Sequence, residues 1–87
     1  MNKSEVMNGI LQEIKKERAQ QDAKWGTQDH HPFKWGAILS EEVGETLSAV
    51  LEGDMVNYRE ELVQVAAVAV AMIESIDRKE AKNTNHE

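Results

Sequence analysis

Cysteine is absent from the 87 residues, so neither a disulfide framework nor a thiolate metal site is available. That absence fits a cytoplasmic protein. Basic residues are outnumbered, 10 against 16 acidic, and the net charge of −6 argues against a nucleic-acid surface, which needs a basic stripe. Long apolar runs are missing too. The longest, Val65 to Ile73, covers about half of the ~20 residues that cross a bilayer, so no membrane association is expected. Lys3, Glu5 and Asn8 interrupt the N-terminus, which does not read as a signal peptide. There is one proline, and there is no alternating pattern of the kind that marks a strand. No internal repeat or low-complexity stretch appears. A chain this short reads as one domain over 1–87, with a core too small to hide all its apolar surface.

What remains is helical periodicity. Ser4 is the expected N-cap of a first helix, in which Met7, Leu11, Ile14, Arg18, Gln21 and Trp25 recur at steps of four and three. Gly26 stops it. Lys24 and Trp25 at its end pair a cation with a stacking surface, although packing explains the helix equally well. Thr27 to His31 is polar and irregular, and Pro32 suits the first turn of the next helix. His30 and His31 are adjacent, so they point to different sides of any regular element and make no metal site. Phe33 and Trp35 either anchor this loop to the core or stack on a ligand.

The second helix is expected from about Phe33 to Leu51. Its apolar face runs through Trp35, Ile38, Leu39, Val43, Thr46, Leu47, Val50 and Leu51. Gly53 ends it and Asp54 caps a third helix reaching Asp77, with about 78–87 as a flexible tail. At about 100° per residue, Glu42 falls in the middle of the second helix's apolar arc and Glu45 at its edge. In the third helix every residue from Leu62 to Ile73 except Gln64 is apolar, and Glu61 shares a face with Val65, Val68 and Met72. Mirror symmetry about Gly53 sets Glu45 against Glu61 and Glu42 against Gln64. Acids aimed into a core need pairing, protonation or a cation. Three readings stand: Glu41, Glu42 and Glu45 as surface acids on a solvated face, acids neutralised by Arg59 or Lys34, or a cation site. The middle of the third helix is apolar nearly all round, more than three helices of one chain can cover, so burial in a homodimer or homotetramer is expected.

The run Glu41-Glu42-Val43-Gly44-Glu45 followed by Glu61-Leu62-Val63-Gln64 resembles the signature of the MazG-like all-α NTP pyrophosphohydrolases, Glu-Glu-x-x-Glu and then Glu-x-x-Asp on the next helix. Glu17-Arg18, Gln21 to Gly26 and Gln64 to Val70 also look like small members of that family. The resemblance covers Glu17 to Ile76. It implies an N-terminal helix on a helical hairpin, with a four-helix core formed between subunits. It further implies a nucleotide-pool housecleaning enzyme that hydrolyses a nucleoside triphosphate to the monophosphate and pyrophosphate, using Mg²⁺ or Mn²⁺. Glu42, Glu45 and Glu61 map to metal ligands, with Gln64 where the family has Asp. Glu41 maps to a group that activates or orients water, or holds a further metal. Lys24, Trp25 and Trp35 are the expected substrate contacts. Gln64 removes one negative charge, so a non-catalytic metal- or nucleotide-binding module, or a structural oligomerisation module, is the alternative. Glu74-Ser75-Ile76-Asp77 is also Glu-x-x-Asp, but its register sets Glu74 far from Glu45.

Overall fold

The computed structural model describes residues 1–85, with side chains to residue 80. It consists of three helices, α1 (Lys3–Trp25), α2 (Pro32–Glu52) and α3 (Met55–Asn85), and among the described residues there is no strand. No helix is long and apolar enough to cross a membrane.

Local chemistry sets each boundary. Asn2, not Ser4, caps α1: its Oδ1 accepts the Glu5 N–H at 2.9 Å, and its amide donates back to Glu5 Oε1 at 3.4 Å. Ser4 lies inside the first turn, since the exchange between Asn2 and Glu5 satisfies the helix start two residues earlier. α1 ends at Gly26 (φ 71°), whose N–H reaches Asp22 O at 2.8 Å. The His31 side chain caps α2, its Nδ1 accepting from the Phe33 N–H at 3.1 Å, and Pro32 follows as the first helical residue.

Gly53 closes α2 in the left-handed region (φ 72°, ψ 18°). The Asp54 N–H bonds to Ala49 O at 3.0 Å across it, which reverses the chain with no side-chain clash. Asp54 then caps α3 through the Asn57 N–H at 3.0 Å. α3 continues past Asp77 to Asn85, and Arg78 is engaged with Asp29 at 2.8 Å and with Gln28 O at 3.1 Å. Residues 86 and 87 of the expected tail lie outside the described residues.

α3 is the central element, packing on α2 along one side and on α1 along another. α2 and α3 form the antiparallel hairpin about Gly53. α1 runs in the same sense as α3, because Glu13 pairs with Arg59 (2.6 Å) and Arg18 with Glu74 (2.7 Å). The buried core is small: Trp35, Ala49, Ala67, Val68 and Ala71, joined by Thr46. Three alanines among six residues let the helix backbones approach closely. Thr46 satisfies its hydroxyl by donating to Glu42 O at 2.8 Å.

Much of the expected apolar face is uncovered. Val43, Leu47, Val50 and Leu51 on α2 are exposed, as are Leu62, Val70 and Ile73 on α3 and Val6, Met7, Ile10 and Leu11 on α1. The hairpin contact uses the narrower seam through Trp35, Thr46 and Ala49. Phe33 is 85% exposed and contacts the His31 ring edge-on instead of anchoring the loop to the core.

Candidate metal centre

Because Gly53 fixes the hairpin register, the acids of α2 and α3 meet. Glu42, Glu45 and Glu61 each direct a carboxylate oxygen to one point, and the three oxygens lie within 4.8 Å of one another. Glu42 and Glu61 are half-buried and Glu45 is exposed, so the cluster opens to solvent on one side. Among the described residues none of these carboxylates has a basic partner. Arg59 turns away to Glu13 with two hydrogen bonds of 2.8 and 2.6 Å. Arg18 is taken by Glu74, Asp22 and Gln21. Glu74 is thereby an ion-pair partner of α1 and stands apart from the acid cluster.

Crowding without a cation perturbs the acids. Burial, and after it the charges of Glu45, Glu61 and Glu41, push the Glu42 carboxyl up to about 7. Burial and then Glu45 raise Glu61 as well. A protonated Glu42 donates to Glu61, and a protonated Glu61 donates to Glu45. With all three ionised, the buried Glu61 Oε2 has no hydrogen-bond partner. Hard carboxylate oxygens on two rigid helices, one of them orphaned, suit a hard divalent cation such as Mg²⁺ or Mn²⁺. The residues present therefore fit the metal.

Beside the cluster, a cavity of about 100 Å³ opens between the three helices, and Glu42 belongs to both. Gln64 lines this cavity with Trp25 and Trp35. The two tryptophans differ. Trp25 is 56% exposed and carries the Lys24 ammonium over its ring at 4.7 Å. Trp35 is buried, packs edge-to-face on His30 at 4.8 Å, and among the described residues has no acceptor for its Nε1–H. Glu41 is exposed, and its charge acts on Glu42. A second cavity of about 350 Å³ lies around His30, Met72, Ile76 and Lys79, with Trp35 in its wall as well.

Sequence reasoning gave no site role to Arg18, Gln21 or Arg78, all of which line the smaller cavity. A signal was present for two of them: Arg18 and Gln21 continue the stripe of Met7, Leu11 and Ile14 on α1. Polar residues that continue the apolar stripe of a helix mark a lined cavity or an ion pair, and Arg18 and Gln21 line the cavity while Arg18 also pairs with Glu74 and Asp22. Arg78 lies in the stretch read as tail, where no pattern pointed to it.

Fold and site together define an all-helical protein with an acidic candidate metal centre next to a small three-helix cavity. Comparison with protein-family models, curated proteins and solved structures gives no match for this chain.

Proposed function

We propose that the chain is a Mg²⁺-dependent nucleoside triphosphate pyrophosphohydrolase of the MazG-like kind, acting as a cytoplasmic homo-oligomer on the nucleotide pool. One observation carries the reading: three carboxylate oxygens within 4.8 Å of one another, from two helices, with no cationic partner among the described residues. An ordinary ion-paired surface would have given Glu42, Glu45 or Glu61 a Lys or Arg. Ion pairs among the described residues use Asp22, Glu74, Glu13 and Asp29 instead.

Glu42, Glu45 and Glu61 would hold the metal, with Gln64 close by. A divalent cation there supplies charge neutralisation for a triphosphate and a template for its orientation. The chain's own groups supply the rest. The hairpin presents the carboxylates from a rigid frame, so they need no reorganisation on binding. Glu41, next to Glu42 but exposed, orients the water that attacks phosphorus or takes its proton. Water adds at one phosphorus, and pyrophosphate leaves from the nucleoside monophosphate. Trp25 offers an open aromatic face to the base, and Lys24 beside it reaches phosphate.

The oligomer rests on the exposed apolar residues of α2 and α3. Val43, Leu47, Val50, Leu62, Val70 and Ile73 are all exposed in the single chain, which leaves apolar side chains of both hairpin helices for a partner to cover. A homodimer or homotetramer that joins hairpins into a four-helix core covers it.

The neutral Gln64 supports one rival, a module that binds metal or nucleotide without turnover. A pyrophosphate-release assay with Mg²⁺ over standard and modified triphosphates separates the two. Turnover that disappears in Glu45→Gln supports the enzyme. Mg²⁺-dependent binding with no pyrophosphate from any substrate supports the module.

A further inference from the structure

We infer that the cavity between α1, α2 and α3 is a nucleobase pocket that selects bases carrying a carbonyl oxygen where cytosine and adenine carry an amino group, and that this oxygen accepts the Trp35 Nε1–H. This rests on the nucleotide reading above and adds the substrate class.

The starting point is an unmatched donor. Trp35 is 5% exposed, stands in the wall of this cavity and of the larger one, and its indole N–H is buried with no acceptor among the described residues. Buried donors of folded proteins nearly always have partners, and a tryptophan buried in a core normally finds one for its N–H. Phenylalanine would fill the same space without that cost. An unmatched N–H in a cavity wall is therefore a group kept for a ligand.

The other walls agree. Ile38, Val68 and Ala71 give apolar surface for a flat ring. The Asp22 carboxylate is held by Arg18 at 3.0 Å, and Gln21 Oε1 accepts from Arg18 at 3.0 Å. Asp22 Oδ1 and Gln21 Oε1 are thus engaged by Arg18, while the Gln21 amide N–H₂ remains to donate. Gln64 can turn its amide to either polarity. The buried group of the pocket that lacks a partner is the Trp35 donor. A uracil, thymine or hypoxanthine carbonyl meets it with a lone pair. The exocyclic amino group of cytosine or adenine sets N–H against N–H. Because Glu42 lies in both the cavity wall and the acid cluster, a base held here has its phosphates beside the carboxylates.

The test is calorimetric binding of non-hydrolysable analogues with Mg²⁺, in two pairs differing at one carbonyl or amino group: dUTP against dCTP and ITP against ATP. A site built on one buried hydrogen bond discriminates by about tenfold or more. The keto member of each pair is expected to bind at least that much tighter in the wild type. Trp35→Phe keeps the ring, removes the donor and should bring the ratio near one. Equal affinity within the wild-type pairs, or preference for the amino member, overturns the inference even if Trp35→Phe fails to fold. So does a ratio that Trp35→Phe leaves unchanged. Pyrophosphate release from the parent triphosphates is followed in parallel. Keto preference without turnover leaves the pocket standing and removes the enzymatic reading. Turnover without preference does the reverse. Absence of binding by all four analogues overturns both.

Discussion

Glu42→Gln removes the acid that the site perturbs most, and its effect on stability can be worked out with sign. Burial and neighbouring acids raise the Glu42 carboxyl from 4.5 to about 7. The folded state therefore holds a proton that the unfolded chain releases near 4.5. Stability from that proton is fully present below 4.5 and is lost as pH rises through about 7. At about 1.4 kcal/mol per unit, ionising the group at pH 8 costs at most ~3 kcal/mol. Water at the half-buried carboxyl screens this to on the order of 1 kcal/mol. A domain of this size shifts its Tm by roughly 4–8 °C per kcal/mol. Metal-free Glu42→Gln should accordingly melt several degrees above wild type at pH 8 and close to it at pH 5. The assay is a pair of thermal melts in chelator at both pH values, at one fixed protomer concentration, because assembly makes Tm concentration-dependent. Glu41→Gln, at an exposed position, serves as the control. A Glu42→Gln variant less stable than wild type at pH 8, or one whose gain is the same at both pH values, would refute the reasoning. The carboxylate would then be a stabilising structural group.

Three further perturbations bear on the site and the assembly. Gln64→Asp adds a fourth charge beside the cluster, so titration calorimetry should show tighter Mg²⁺ binding, and melts at pH 8 in chelator should show lower stability than wild type. Val70 is 37% exposed in the protomer, where a charge would be nearly neutral; if the oligomer covers it, Val70→Asp should dissociate or unfold the protein, which sedimentation detects against a wild type heavier than one chain. Ala67 is fully buried where α3 meets its neighbours, so Ala67→Leu should overpack the seam and cost about 1–3 kcal/mol in denaturant unfolding.

The three helices were legible because each carried both a period and punctuation. Gly26, Pro32, Gly53 and Asp54 act in the structure as their backbone chemistry predicts. The pairing of Glu45 with Glu61 followed from one tight turn, since a helical hairpin with a fixed turn has a fixed register. The start of α1 was misplaced because Asn2 and Ser4 are both good caps, and only the return bond from Glu5 favours Asn2. The width of the buried seam was not legible. Periodicity shows that Val43, Leu47 and Val50 share an apolar face, but not what covers it. Nor could the sequence show that Arg59 pairs with Glu13 and Arg18 with Glu74, because these contacts depend on how α1 docks across the hairpin. Those two pairs leave the acid cluster without a cationic neighbour.

The central claim is that Glu42, Glu45 and Glu61 form one cation site. Its most direct test is the Mg²⁺-induced change in Tm at pH 8, measured for wild type and for Glu61→Gln. Binding to the folded state alone stabilises by about 2.7 kcal/mol when free metal is a hundred times Kd. At that concentration Mg²⁺ should raise the wild-type Tm by roughly 10–20 °C, while Glu61→Gln, which loses a shared ligand, shows little or no rise over the same concentrations. A wild-type Tm that Mg²⁺ leaves unchanged, or an equal rise in both proteins, would contradict it.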